Sequence, residues 1–399
     1  MTISRFEAVV IGGGPAGLTA AIALAAAGIE TALVAKSHSE PDHRTTALLA
    51  GSVTALDTLG AWQGCQAKAA PLRVLRIIDD TGRLLRAPEV CFAASEIGLD
   101  AFGQNIENRF LLAALGARAR ELATLAYIND EAVTVTIEDQ QVRIAVKNGT
   151  ALSADLAIAG DGRHSVCRAA AGIHIHRRSY PQTALTFNLN HTREHHDTST
   201  EFHTSAGPFT LVPLPGRRSS LVFVVDPAEA VHLGALADAD MAAEIERRSH
   251  SILGKIEVDS GRGLFPLLAE TAARFGARRV ALIGEAAHVV APIGAQGLNL
   301  GLRDAATIAE LVVAARRAGQ DIGEVTERYD TMRRADVIGR TLAVDLLNRS
   351  LLSDFLPLQG ARGLGLFLMR HVGSLRRSAM REGVAPLASQ PRLMRGEAL

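Results

Sequence analysis

Ala8-Val9-Val10-Ile11-Gly12-Gly13-Gly14-Pro15-Ala16-Gly17-Leu18 is the stretch whose reading decides the fold. Ala8 to Ile11 reads as a short buried strand, and the Ala- and Leu-rich run Leu18 to Ala27 reads as a helix without a breaker. Between them the glycines fall in a GxGxxG pattern. Gly12 permits the tight turn, Gly14 lets backbone approach a pyrophosphate, and Gly17 lets helix and strand pack closely. Pro15 and Ala16 open the helix, whose free N–H groups and positive dipole end face the phosphates. Gly28 closes the helix and Thr31 to Val34 gives a second strand. The pattern predicts a βαβ unit that binds a dinucleotide. An acidic residue is expected at the end of the second strand to hold a ribose. Ala35 and then Lys36 stand there instead.

Working outward, Ala47 to Leu59 reads as a helix ending at Gly60. Val74 to Ile78 and Leu84 to Arg86 flank Asp80-Thr81-Gly82 as a hairpin. Arg109 to Leu122 is a further helix. Strands follow at Ala132 to Ile137, Val142 to Val146 and Leu156 to Ala159, the last two separated by the turn Lys147-Asn148-Gly149. From about Arg177 period-two strands appear at Thr183 to Leu189, Phe209 to Val212 and Ser220 to Val225, with Pro215-Gly216 turning between the last two. The buried-strand pattern returns at Arg279 to Ile283. Beyond Asn299 the chain reads as helical, over Leu302 to Arg316, Glu324 to Leu347 and Leu364 to Arg377.

With 399 residues, 48% of them hydrophobic, the chain has material for two to three domains of about 150 residues each. Lys+Arg and Asp+Glu balance at 42 each, so no net field draws it to nucleic acid or acidic lipid. Cys65, Cys91 and Cys167 are scattered, with no CxxC pair, which fits a reducing compartment. The most apolar segment is shorter than the ~20 residues that span a bilayer. A cytoplasmic protein is expected.

A second motif separates the candidate cofactors. Ala281-Leu282-Ile283-Gly284-Glu285-Ala286-Ala287-His288 leads to Pro292-Ile293-Gly294-Ala295-Gln296-Gly297-Leu298-Asn299. A strand ends in a Gly-acid step, and a glycine-rich loop then opens a helix. Glu285 is suited to a hydroxyl of a flavin's ribityl chain. Backbone N–H groups from Gly297 to Asn299 would meet the flavin's pyrimidine edge and stabilise negative charge there. FAD is therefore the expected dinucleotide. A third stretch, Asp155 to Arg168, reads as a buried strand ending in the sharp turn Gly160-Asp161-Gly162.

At these residues the chain resembles the single-component FAD-dependent aromatic-ring hydroxylases, and within them the ubiquinone-biosynthesis group of the UbiH/VisC type. Gly284-Glu285-Ala286-Ala287-His288, continued by Gln296 to Asp304, is similar to that group's signature. Glu285 stands where the family usually has Asp. Gly294-Ala295 stands where it more often has Ala-Gly. Asp42-His43-Arg44-Thr45-Thr46-Ala47-Leu48 is similar to a family segment whose arginine, here Arg44, lies near the flavin. Gly103-Gln104-Asn105 opens the next helix where the family often places a cofactor-contacting glutamine, here Gln104.

The resemblance implies an α/β, Rossmann-like FAD-binding domain with an inserted antiparallel-sheet substrate domain and a helical C-terminal region. The FAD-binding domain is expected at 1–72, 99–176 and 276–320, the substrate domain at 73–98 and 177–275, and the helical region at 321–399. It implies FAD contacts from Gly12, Gly14, Pro15, Ala16, Gly17, Arg44, Gln104, Asp161, Glu285, Pro292, Gly294, Ala295, Gln296, Gly297, Leu298 and Asn299. Leu211, Val212, Pro213, Phe265 and Pro266 would shape an apolar substrate pocket.

The implied reaction is hydroxylation of the phenolic ring of a polyprenylated ubiquinone precursor. NAD(P)H is a transient co-substrate, O2 is the oxidant, and a flavin C4a-hydroperoxide carries the oxygen. No catalytic acid or base stands out. Such a substrate comes from the bilayer, which implies a protein peripheral to the inner membrane, or bound to other ubiquinone-biosynthesis proteins. No metal site is expected, because His174, His176, His191, His195, His196 and His203 lie in a polar, loop-rich stretch without ligand spacing. The rival readings are another flavin enzyme, such as a halogenase or prenyl reductase, and a non-catalytic flavoprotein scaffold. Ala35 is the scaffold's only support, and the single Trp62 lies in the wrong neighbourhood for a halogenase.

Overall fold

The computed structural model describes residues 3–36, 42–83, 86–291, 293–352, 356–384 and 390–399. The strand Ile3–Ile11 lies inside a largely parallel sheet. The order is Gly276–Ala277, Val280–Leu282, Ala151–Ala159, Ile3–Ile11, Thr31–Val34 and Leu125–Ile128. A hairpin of Ala132–Ile137 and Val142–Val146 joins Ala151–Ala159 antiparallel. Ala8 to Ile11 are all buried, as a parallel strand covered on both faces requires. The helix Pro15–Ala26 packs against the helices Asn108–Arg120 and Gln296–Arg317. Its alanines permit that close approach. Buried Ile22 and Leu24 each contribute about 1.5–3 kcal/mol.

A second sheet of eight strands forms the inserted layer. Its order is His288–Val289, Ile256–Ala272, Ile175–His191, Arg218–Val225, Pro208–Leu214, Thr198–His203, Val74–Asp79 and Val90–Ala93. All its pairs are antiparallel except Thr198–His203 with Val74–Asp79. Side chains alternate between its faces. Leu185, Phe187 and Leu189 bury against the helices Pro227–Gly234 and Asp238–Arg248, with edge-on stacking of Phe202, Phe209 and Phe223. Ala184, Thr186 and Asn188 face a cavity on the opposite side. A three-stranded sheet of Thr45–Leu49, Gly103–Glu107 and Ala69–Pro71 completes the sheet structure.

The expected α/β architecture is present, with several local differences. The helix expected from Ala47 begins at Ala50, because Thr45–Leu49 pairs with Gly103–Glu107. Gly103-Gln104-Asn105 is correspondingly a strand, and its helix starts at Asn108. A β-carbon on Gly103 would fall 1.9 Å from the Leu48 carbonyl oxygen, so that pairing needs glycine. Val74–Asp79 pairs with Val90–Ala93. Of the strand expected at Leu84 to Arg86, Leu84 and Leu85 lie outside the described residues. The helix expected over Leu364 to Arg377 is two helices, Leu356–His371 and Gly373–Val384.

The C-terminal helices hold to both layers. Tyr329, Val337, Leu393 and Met394 belong to the main core. Asp345 accepts hydrogen bonds from Arg178 Nη1 at 3.0 Å and the Tyr180 hydroxyl at 2.9 Å, fastening Thr326–Leu352 to the antiparallel sheet.

Candidate functional site

Three glycines form the turn of the first motif, each for a different reason. Gly12 has φ +113°, and a β-carbon there would lie 2.1 Å from the Gly160 carbonyl oxygen. A β-carbon on Gly17 would lie 2.1 Å from the Gly12 carbonyl oxygen. The two strand ends and the helix therefore meet backbone against backbone. Gly14 differs: no atom lies within 4 Å of its β-position, which opens onto free space. Pro15 and Ala16 follow at the helix start. No side chain caps that helix and no acidic residue lies in its first turn. Its positive end is available to an anion.

The second motif gives another uncapped helix start. Gly294 and Ala295 both adopt left-handed backbone, φ 68° and 54°, to turn the chain into Gln296–Arg317. Nothing lies within 4 Å of the Gly297 β-position. The Gln296 amide donates to the Gly294 carbonyl at 3.1 Å. The Asn299 amide is committed to protein. It accepts from Leu49 N–H at 2.8 Å and donates to the carbonyls of Ala47 at 2.8 Å and Ala295 at 2.6 Å. Asn299 thus ties the helix start to the Thr45–Leu49 strand. Leu298 is half-buried beside it. Pro292 lies outside the described residues.

Asp161, at the end of Ala151–Ala159, accepts the Cys167 N–H through Oδ2 at 3.3 Å. Its Oδ1 is buried without a hydrogen-bond partner. An orphaned buried carboxylate oxygen beside the glycine turn fits a hydroxyl donor from a bound nucleotide. Together with two uncapped helix starts and two open glycine positions, it shows that these residues fit FAD. Arg44 is held by both its Nε and Nη2 on Asp42, at 2.9 and 2.7 Å. Glu285 is exposed and pairs with Arg163 at 3.2 Å. Gln104 is half-buried, opposite Leu48. Ala35 is buried, and Lys36 pairs with Glu131.

Behind the second motif lies a buried ionic network. Asp304 Oδ2 accepts from Gly284 N–H at 3.0 Å and from His288 Nε2 at 2.7 Å, while Oδ1 accepts from Arg333 Nε at 2.7 Å. Burial alone would push the Asp304 carboxyl up, but His288 and Arg333 outweigh it and hold it below the usual range. Arg333 passes on to Asp336 at 2.6 Å, which also faces Arg303 and Arg340. Asp336 is likewise opposed by burial, yet its three arginines bring it to about 2. Burial brings Arg303 down to about 10. Arg303 and Asp304 belong to the signature of the second motif, but Arg333 and Asp336 lie in a plain helical stretch and carry no local signal.

A cavity of about 220 Å³ opens between the antiparallel sheet and the second motif. Phe265 and Pro266 line it. Leu211, Val212 and Pro213 do not. Leu211 is buried in the core on the helix-covered face, and Val212 pairs with Ser220. The Pro213 carbonyl accepts from Asn105 at 2.8 Å. The next strand supplies Ser220 and Val222 instead, and Val289 to Ala291 close the side toward Gly294. His43, Arg44 and Arg163 bring polar groups to the rim. Sequence pattern did not reveal His43 as a lining residue, because only the three-dimensional loop turns it inward.

The histidine-rich stretch is accounted for by ordinary hydrogen bonds. His191 meets the Arg193 carbonyl at 2.7 Å and Ser219 at 3.0 Å, His195 meets the Leu214 carbonyl at 3.0 Å, and His203 meets Glu201 at 2.8 Å. Among the described residues no group of three His, Cys, Asp or Glu is placed to hold a metal ion.

Comparison with known proteins follows the same outline. A family model described as FAD binding domain matches residues 5–341. The chain is 33% identical to the ubiquinone hydroxylase UbiL of Rhodospirillum rubrum, over 98% of this chain and 92% of that one. It is 30% identical to the 3-demethoxyubiquinol 3-hydroxylase of Escherichia coli, over 96% and 99%. Its fold is similar to the crystal structure of the p-nitrophenol 4-monooxygenase PnpA of Pseudomonas putida. That match has a TM-score of 0.78 and 20% identity, over 95% and 98% of the two chains.

Proposed function

Because the chain belongs to the FAD-binding family of aromatic-ring mono-oxygenases, we propose that it hydroxylates the phenolic ring of a polyprenylated ubiquinone precursor, using NAD(P)H and O2. The observation that carries this reading is the cavity between Phe265 and Pro266 on the sheet and Val289 to Ala291 on the second motif. A largely apolar cavity beside the second motif supports a site for an aromatic ring next to the flavin. Two relatives with at least 30% identity over nearly the whole chain are named for ubiquinone-pathway hydroxylation, which supports the choice of substrate.

Bound FAD supplies hydride acceptance and oxygen activation. The residues of this chain do the rest. The start of Pro15–Ala26 binds the pyrophosphate, with Gly14 admitting it. Asp161 Oδ1 takes a cofactor hydroxyl. The start of Gln296–Arg317 would favour negative charge on a bound flavin. Phe265, Pro266 and Leu267 exclude water from the ring to be hydroxylated. NAD(P)H binds in passing, since the chain offers one GxGxxG turn and FAD takes it.

A prenylated substrate is delivered from a bilayer, so the protein works at the cytoplasmic side, peripheral to the inner membrane. No described helix is long and apolar enough to cross a membrane. Leu364, Phe367 and Leu375 are exposed on the last two long helices, among exposed Arg370, Arg377 and Arg381. That pattern suits the interfacial plane of an anionic membrane.

The test is the lipid-quinone profile of a strain lacking the protein. Loss of ubiquinone with a precursor short of one oxygen supports the reading, and that precursor's structure names the ring carbon. A normal profile, together with purified holoprotein that oxidises NAD(P)H no faster when phenols are added, overturns it.

A further inference from the structure

Hydroxylation of a phenol by an electrophilic oxygen is faster from the phenolate, whose negative charge enriches the carbons ortho and para to it. The reaction therefore profits from a group that removes the phenolic proton inside a pocket that excludes water. Sequence motifs point to none. The cavity contains one side chain of the right kind. His43 lines it, on the loop between Asp42 and Arg44. Its Nδ1 is buried and, among the described residues, has no hydrogen-bond partner.

Nδ1 lies 3.8 Å from Glu107 Oε2, at the end of the strand Gly103–Glu107. Glu107 is buried, 1% exposed, and is kept in place by Arg109 at 2.9 Å and Arg218 at 3.1 Å. The His43 carbonyl accepts from Asn188 at 3.1 Å, which anchors the loop to the antiparallel sheet. The imidazole thus stands between the buried Glu107 side chain and the substrate cavity. The other charged groups around it are Asp42 and Arg44 on its own loop, paired with each other, and Arg163 across the cavity, paired with Glu285.

We propose that His43 is the general base for the phenolic hydroxyl and that Glu107 positions it and steadies the imidazolium; this rests on the reading of the cavity as a phenol site. The phenol O–H bond breaks and an N–H bond forms at Nε2. The O–H electron pair stays on the phenolate oxygen. Nδ1–H closes the 3.8 Å gap onto Glu107 as the ring becomes charged. The proton returns to solvent after the product leaves. Glu107 is a positioning residue, since it reaches the substrate only through His43.

The experiment uses the FAD-loaded protein and 2-allyl-4-nitrophenol, an ortho-alkenylated phenol whose ionised form is yellow. The apparent pKa of the bound probe is measured by absorbance for the wild type, His43→Gln and His43→Ala. Melting temperature and flavin spectrum confirm that the variants are folded and loaded. The wild type is expected to lower the probe's pKa by about one unit, a tenfold gain in acidity. Both variants are expected to return it to its value in solution. If the variants ionise the probe as the wild type does, Arg44 and Arg163 suffice and the proposal falls. If the wild type does not bind the probe at all, the phenol reading of the cavity falls, and this proposal with it.

Discussion

His288 Nε2 and Asp304 Oδ2 lie 2.7 Å apart with both side chains closed to water. The same carboxylate oxygen accepts the Gly284 N–H, so one buried acid fixes both the Gly-acid step and the histidine that ends the signature. The pair anchors the loop on which the flavin side of the site depends. Asp304→Ala takes from buried Arg333 one of its two carboxylates and leaves Gly284 N–H and His288 Nε2 without their acceptor. We expect a loss of about 3–5 kcal/mol of stability, read from denaturant unfolding. An unchanged midpoint would show that water replaces the pair.

Asp336 gives the network a pH signature. Its folded pKa, about 2, lies below the unfolded value of about 4. Its contribution is therefore complete above pH ~4 and is lost as pH falls toward ~2. The shift corresponds to no more than about 2.5 kcal/mol, reduced by solvent screening at this partly exposed group. Asp336→Asn should flatten the acid limb of melting temperature against pH. The same acid limb in both proteins would remove Asp336 as its source.

Gly12 and Gly14 should behave oppositely. Gly12→Ala forces a β-carbon into the Gly160 carbonyl at positive φ, and soluble folded protein should be lost. Gly14→Ala meets nothing within 4 Å and has ordinary backbone, φ −71°. Apoprotein stability should stay within about 0.5 kcal/mol. FAD affinity should fall by at least about tenfold, or ~1.4 kcal/mol, because the methyl occupies the phosphate's place. Titration of apoprotein with FAD measures this directly.

Asp161→Ala removes a buried oxygen that has no protein partner. The apoprotein should lose no more than about 1 kcal/mol, since the hydrogen bond from Cys167 N–H to Oδ2 is lost while the cost of the unsatisfied Oδ1 is removed. The rise in melting temperature on adding FAD should shrink, because that rise follows cofactor affinity. A full FAD-dependent rise in the variant would take Asp161 out of the cofactor site.

Phe265→Ala opens the apolar wall of the cavity. KM for a phenol should rise with kcat little changed, the pattern of lost uniform binding. A fall in kcat alone would place Phe265 in the oxygen-transfer geometry instead.

Much of this was legible in the sequence because backbone constraints leave local marks. Gly12 and Gly17 are written into the motif by the atoms they would strike, and the period-two pattern of Thr183 to Leu189 separates a helix-packed face from a cavity face. What escaped depended on long-range pairing. Ala47 to Leu49 has helical composition yet forms a strand, because Gly103–Glu107 arrives to pair with it. Leu211 has the composition of a pocket residue, but its register opposite Leu221 sends it into the core. His43 carries no pattern of its own. Its meaning comes from Glu107, which belongs to another strand.

The three bonds of the Asn299 amide bear on how the protein is made. Asn299 and its partner Leu49 stand 250 positions apart, with the entire antiparallel layer encoded between them. On the ribosome, the glycine turn emerges early and waits while that layer is translated. The flavin side of the site comes into being only when Gln296–Arg317 has left the exit tunnel and docked. Cofactor loading is thus a late event in biogenesis, and over that interval the half-built parallel sheet is open to misassembly.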